Sequence, residues 1–348
     1  MHTKFLIGIF VLLLSPLVLS DEVNPGVLRT PEARFANLQG YPFESHYIVV
    51  DGMRIHYLDE GPNDGETLFL LHGEPAWSFL FRKMIPIFTE AGYRVVVPDL
   101  VGFGKSDKYV DEAAYSYGGQ VEFMRKLVER LDLNEVTFFG QDWGGLIGLR
   151  VVAETPDRFS RIVVSNTSLP GAGGLFGRFG YDVIKLYLSI MGEITLQDLQ
   201  SELTFMRWAA YSQHVDDLPI GDAMTVLGGG KPRDPGYEAP FPDGRYKAGA
   251  HIMPYLVPSE LPQNQQAWEN VFESWDKPFL VAFTDQDPIT AGGEELFMER
   301  VPSAQQVTIR GAGHFVQEDA GPELAELMIA FMQGQALPRE ISAGAENP

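Results

Sequence analysis

The chain has 348 residues, 45% of them hydrophobic, with 47 acidic against 26 basic side chains and a formal net charge of −21. That is enough apolar material for one large α/β domain with an elaboration, and the charge argues against a nucleic-acid partner or an anionic membrane surface. Cysteine is missing, which excludes disulfides, a thiolate nucleophile and any cysteine-built metal site.

Residues 1–20 read as a secretory signal: Lys4, then an apolar run from Phe5 to Leu14, then Pro16 and Leu17-Val18-Leu19-Ser20 before the polar Asp21. The run is too short and too interrupted to span a bilayer, so export to the periplasm or medium is expected, with no membrane span after cleavage; cytoplasmic residence is the alternative. Asp21 to Tyr47 is polar with scattered aromatics and prolines, an arm lying over the domain. Asp51-Gly52 between two β-rich runs predicts a tight hairpin. Thr67–Leu71 and Tyr93–Val97 are continuous apolar runs, as strands buried on both faces require. A helix is expected over Ser78–Thr89 and another over 117–132, where Val121, Met124, Leu127, Val128 and Leu131 recur at helical spacing.

Val136–Phe139 predicts a buried strand running at once into a helix, Leu146–Ala153, with Ile162–Ser165 the next strand. From about Thr167 to Pro262 the chain turns Gly-, Pro- and aromatic-rich, predicting a helical insert. Strands return at Phe279–Phe283 and Gln306–Ile309, a last helix covers Pro322–Gln333, and Arg339–Pro348 reads as a loose tail. Alternation of strand and helix implies a mostly parallel sheet covered on both faces.

In such sheets functional groups gather past the carboxyl ends of strands. Gly140-Gln141-Asp142-Trp143-Gly144 has the Gly-x-nucleophile-x-Gly frame of a strained strand-to-helix elbow, with Asp142 where Ser is usual. An Asp there attacks an sp³ carbon and forms an alkyl ester. His314, in a glycine-flanked loop after the final strand, stands where a triad base falls in chain order. Asp285 and Asp287 both follow strand 279–283; Asp287, set before Pro288, is the expected partner of the imidazole, leaving Asp285 as a loop or capping group. His72-Gly73-Glu74-Pro75 follows a strand of the kind that supplies an oxyanion-hole amide, so the backbone N–H groups of Glu74 and Trp143 are the expected pair. An indole N–H donates and never accepts, which suits a weakly hydrated anion. Trp143 is one such donor, and the second lies among Trp208, Trp77, Trp268 and Trp275. No metal-ligand spacing is found, and Gly228-Gly229-Gly230 is not a phosphate loop.

These residues resemble the haloalkane dehalogenases of the α/β-hydrolase superfamily. The resemblance rests on His72-Gly73-Glu74-Pro75-Ala76-Trp77-Ser78, Gly102-Phe103-Gly104-Lys105-Ser106-Asp107-Lys108, Gln141-Asp142-Trp143-Gly144-Gly145, Ala239-Pro240-Phe241-Pro242-Asp243 and Gly313-His314-Phe315-Val316-Gln317-Glu318. It implies an α/β-hydrolase fold with an inserted helical cap: core at 21–166 and 263–338, cap at 167–262, tail at 339–348. It implies Asp142 as nucleophile, His314 as base, Asp287 as its acid partner and Trp143 with Trp208 as halide donors, Trp208 matching the cap motif Phe205-x-x-Trp208. Leu146, Phe205, Phe241, Pro242 and Ile289 fall at pocket-lining positions. The implied partners are a small apolar halogenated substrate, water and halide; no cofactor and a monomer are expected. The cap looks longer than usual between Trp208 and Ala239. Epoxide hydrolases share the elbow Asp and need a pair of cap tyrosines, for which Tyr181, Tyr187, Tyr211, Tyr237, Tyr246 and Tyr255 are candidates. A ligand-binding hydrolase relative without catalysis is a third reading, against which the complete triad argues.

Overall fold

The computed structural model describes residues 22–344; the expected signal at 1–20 lies outside them. Two short strands, β1 (Glu22–Asn24) and β2 (Val27–Leu28), begin the arm. β3 (His46–Val50) and β4 (Met53–Glu60) pair antiparallel around Asp51 and Gly52, whose φ angles of +48° and +87° are those a twist-matched two-residue hairpin demands. β5 (Thr67–Leu71) and β6 (Arg94–Pro98) are the expected buried strands, β6 shifted by one residue. β7 (Lys108–Tyr109) pairs with β2, which ties the arm to the loop after β6. β8 (Val136–Gln141), β9 (Phe159–Ser165), β10 (Phe279–Thr284), β11 (Ala304–Arg310) and β12 (Glu340–Ser342) complete the set.

Nine strands form one sheet in the order β12-β11-β10-β9-β8-β5-β6-β4-β3. The pairs from β12 through β6 are parallel, and β4 meets both β6 and β3 antiparallel. The middle strands are apolar on both faces because helices cover both, as a parallel sheet requires. β12 corrects the expectation of a loose tail: Ile341 pairs beside Ile309, and Arg310 Nε donates to Glu340 Oε2 at 3.0 Å.

The expected helix at Ser78–Thr89 is divided into a 3₁₀ turn, Ser78–Phe81, and α1 (Ile85–Glu90). Pro86 favours a fresh helix start there, and the Ser78 N–H is drawn to Asp99 Oδ1 at 2.7 Å. α2 (Tyr117–Arg130) and α3 (Trp143–Glu154) follow. Between β9 and β10 the described residues hold helices and no strand: α4 (Gly174–Ile190), α5 (Leu196–Ser201), α6 (Phe205–His214), α7 (Ile220–Leu227), α8 (Ala248–Leu256) and α9 (Leu261–Asn270). The expected cap boundary at 262 falls inside α9, which is tied back to the start of the insert by Trp268 Nε1 donating to the Leu169 carbonyl at 2.8 Å. α10 (Gly293–Arg300) precedes β11, and α11 (Val316–Met332) starts earlier than its sequence pattern suggests, kinking at Ala320 just before Pro322.

Candidate active site

β8 ends at Gln141 and α3 begins at Trp143, so one residue, Asp142, makes the whole turn, with φ +54° and ψ −127°. A non-glycine residue there is strained and must be held from outside. Its N–H donates to the Asn166 carbonyl at 2.9 Å, and the Thr167 hydroxyl donates to its carbonyl at 2.7 Å. The glycines let other chain segments close in: a Cβ on Gly144 would lie 2.1 Å from the Leu71 carbonyl oxygen, and one on Gly73 2.4 Å from the Asp142 Cβ.

Asp142 Oδ1 accepts the Glu74 backbone N–H at 2.9 Å, while Oδ2 stands 3.5 Å from His314 Nε2. The two oxygens are thereby distinguished, one held by the loop after β5 and the other turned to the imidazole. His314 is carried by the loop after β11, which leaves the strand through Gly311 at φ +77°. Its carbonyl accepts from Asn166 Nδ2 at 2.9 Å and Gln141 Nε2 at 3.1 Å, so the strand ends of β8 and β9 clamp the loop.

Asp287, not Asp285, meets the imidazole, its Oδ2 lying 3.0 Å from His314 Nδ1. Asp285 instead accepts the Gly311 N–H at 2.8 Å and so caps the loop that carries the histidine. Asp287 also accepts the Ile289 N–H at 2.8 Å and the Thr290 hydroxyl. Burial works against the charge of Asp287, but His314 and these donors outweigh it and hold its carboxyl below the usual range. Burial likewise disfavours an imidazolium, yet the charge of Asp287 and the bonds to both aspartates raise the His314 pKa to about 10.

Trp143 and Trp208 both line a small cavity of about 10 Å³, room for one water-sized guest, whose wall also includes Asp142, Glu74, Phe205 and His314. Trp208 Nε1 donates to Glu74 Oε2 at 3.2 Å; Glu74 Oε1 has no partner. Burial first, and the Asp142 charge second, push the Glu74 carboxyl well above its usual range, which favours the neutral acid. Of the competing indoles, Trp77 donates to the Gly236 carbonyl and Trp268 to that of Leu169. A larger cavity of about 550 Å³ opens from Asp142, walled by Leu146, Phe205 and Ile289 together with α4, the start of α9 and residues 289–296.

Phe241 and Pro242 line neither cavity, contrary to expectation. The segment before them is pinned to the arm, the Thr30 hydroxyl donating to Pro240 and Arg34 to Glu238 and Ala239, and Phe241 packs edge-on against Phe103. Sequence reasoning missed Asn166, Thr167 and Thr290. The first two lie directly past β9, where the strand-end rule could have found them. Among the described residues no group of His, Asp and Glu side chains could hold a metal ion, and no helix is long and apolar enough to cross a membrane.

Residues 66–321 match the family described as the alpha/beta hydrolase fold. The chain is 42% identical over 322 residues to a haloalkane dehalogenase of Psychrobacter cryohalolentis, covering 88% of this chain and 98% of that one. It is 41% identical over 321 residues to one of Mycobacterium marinum, covering 88% and 99%. The chain belongs to the haloalkane dehalogenases. A solved haloalkane dehalogenase of Paraglaciecola agarilytica NO2, described as tetrameric, superposes with a TM-score of 0.72 at 33% identity over 86% of this chain and 96% of that one. A haloalkane dehalogenase structure from Agrobacterium tumefaciens C58, at 20% identity, shares the fold with a TM-score of 0.68 over 88% of this chain and all of that one. As a haloalkane dehalogenase the chain is a hydrolase, and the carboxylate at its elbow is the feature its chemistry has to explain.

Proposed function

We propose that the protein hydrolyses haloalkanes to alcohol, halide and a proton through a covalent ester on Asp142. The observation that carries this is the elbow carboxylate that lines one small cavity with two indoles and stands 3.5 Å from an Asp287-paired His314. In the first step Asp142 Oδ2 attacks the carbon bearing the halogen; the C–O bond forms, the C–X bond breaks, and halide leaves toward the Trp143 and Trp208 N–H groups. In the second step water attacks Cγ of the ester while His314 Nε2 takes its proton. The oxyanion develops at Oδ1, where the Glu74 N–H already points, with the Trp143 backbone N–H as its second donor. Collapse releases the alcohol and restores the carboxylate, and the proton passes from His314 to solvent.

The electrostatics support this order. Part of what holds His314 protonated is the negative charge of Asp142, and alkylation removes that charge. The base is therefore freed only once there is an ester for it to hydrolyse. The epoxide reading is not favoured, because none of the six cap tyrosines lines either cavity. Tyr237 donates to Glu318 and Tyr255 to the Lys185 carbonyl. We read the chain as a monomer, which its mass in solution tests, and as exported by residues 1–20, which fractionation of expressing cells tests.

The deciding experiment is bromide and acid release from 1-bromobutane and 1,2-dibromoethane, run beside Asp142→Ala. Release by the wild type that vanishes in the variant is expected. Hydrolysis of styrene oxide with no bromide from either substrate would overturn the reading.

A further inference from the structure

We propose that Thr290 is a positioning residue for the hydrolytic step, setting the basicity of His314 through the carboxylate of Asp287. This rests on the reading of His314 as the base and names a residue that the triad alone does not include. Asp287 Oδ2 is shared: it receives His314 Nδ1 at 3.0 Å and the Thr290 hydroxyl. A carboxylate oxygen only accepts, so Thr290 is the donor in this contact. Oδ1 is held separately by the Ile289 N–H at 2.8 Å. Each donor that draws charge from Oδ2 weakens its hold on the imidazolium, so the Thr290 hydroxyl tempers the basicity that Asp287 confers.

The position of Thr290 is set by the fold. Its carbonyl accepts the Gly293 N–H at 2.8 Å, and Gly292 turns the chain at φ +82° into α10, so residues 287–293 form one closed turn. The same turn is a wall of the 550 Å³ cavity, with Thr290 beside Ile289 and facing the space that reaches Asp142. The residue that adjusts the acid partner thus also lines the cavity open to a bound alkyl chain. Other charges facing the imidazole are those of Asp142 and, beyond it, Glu74. Against the loop that carries His314, Asp285 from the turn after β10 holds the Gly311 N–H and lies 3.6 Å from Arg310, and Asp319 from α11 accepts the Gly313 N–H. None of these touches Asp287 Oδ2, so a change confined to Thr290 reads that oxygen.

The test compares Thr290→Val, which keeps the shape and removes the hydroxyl, with Thr290→Ser, which restores it. Rapid mixing with 1-bromobutane followed by quenching and mass spectrometry separates formation of the alkyl-enzyme from its hydrolysis across pH. Without the hydroxyl, His314 becomes more basic and must lose its proton at higher pH before it can act. The acid limb of the hydrolysis rate is expected to move up by roughly half a pH unit to one unit in Thr290→Val, about half of what one hydrogen bond to a charged carboxylate is worth, because the imidazole feels the loss only through the shared oxygen. The pH dependence of ester formation should be unmoved whatever its absolute rate, since Thr290 also lines the cavity, and the acid limb of hydrolysis in Thr290→Ser should match that of the wild type. An unmoved or lowered acid limb in Thr290→Val, or a serine variant that behaves like the valine one, would overturn the proposal. Imidazole NMR titration of His314 in the free enzyme reads the same shift without turnover. A wild type that forms no ester would remove the catalytic reading, while this titration would still decide whether Thr290 sets the imidazole's basicity.

Discussion

Replacing Asp287 by Asn should separate the two half-reactions. The side chain is nearly isosteric and its one amide oxygen keeps the Ile289 donor at the Oδ1 position, but the NH2 group that replaces Oδ2 cannot accept from Thr290, and the anion 3.0 Å from His314 Nδ1 is gone. A unit-charge pair at that distance, in an effective dielectric near 20, interacts by about 5 kcal/mol. Spread over the two protonation states of the imidazole, that is roughly 4 pKa units. An imidazole that much less basic takes a proton from water poorly, so hydrolysis of the Asp142 ester should slow by about 10³- to 10⁴-fold. Attack by Asp142 on the alkyl carbon needs no proton transfer and should persist. The assay is bromide release at enzyme concentrations high enough to see one equivalent. A rapid burst near one bromide per enzyme, then near-silence, is expected, with the alkyl-enzyme found by intact mass and the fold checked by thermal unfolding. Continued turnover within tenfold of the wild type would refute the reasoning, because Asp287 would then not be what makes His314 a base.

Three other outcomes are expected. Trp208→Phe should weaken bromide binding roughly tenfold, the loss of one hydrogen bond to an anion, read by quenching of the remaining tryptophan emission; an unchanged affinity would count against Trp208 as a halide donor. Glu74 has a raised pKa in the folded protein, so the native state holds its proton more tightly than the unfolded chain, and its stability contribution is lost as pH rises above the usual glutamate range. Glu74→Gln should therefore gain stability relative to the wild type between pH 5 and 8 in urea unfolding, and a constant difference would sink that account. Glu318 is the opposite case: burial raises its pKa, but Arg82, Lys83 and Tyr237 outweigh this and bring it to about 2. Its contribution is full above its unfolded value and is lost as pH falls toward 2, so Glu318→Gln should cost about 2–4 kcal/mol at pH 7, a cost that shrinks on acidification.

What could be read from the chain beforehand followed from local rules with a strong physical cause. Asp51-Gly52 demanded left-handed backbone, and two parallel-sheet strands announced themselves by unbroken apolar runs. The elbow could be read because glycines must flank a turn into which other backbone presses, and His314 because the triad order is fixed by strand order. Thr290 could not be singled out, since a hydroxyl's partner is set by a turn closed through Gly292 and Gly293, and nothing in the residue type distinguishes it from a solvent-facing threonine. Phe241 was misplaced for a similar reason: the Thr30 and Arg34 contacts that pull its segment away come from more than 200 residues upstream. Glu340–Ser342 looked like a tail because a three-residue edge strand has too little pattern to betray itself; the neighbour β11 supplies its order.

The glycine cradle around Asp142 has a consequence for how such a protein can change over generations. Gly73, Gly140 and Gly144 sit where any larger side chain would collide with backbone or with the nucleophile itself, and Gly145 where it would strike the Thr167 side chain that holds the Asp142 carbonyl, so the stretch bearing the reacting atoms is closed to gradual variation. The large cavity takes only Asp142 and Leu146 from that stretch; the rest of its wall comes from residues 167–171, from α4, α6 and the 257–261 segment, and from the 289–296 turn. Selection for a new substrate can therefore act on the insert and that turn, where a lining residue can be exchanged one at a time, while the carboxylate and its histidine are inherited unaltered.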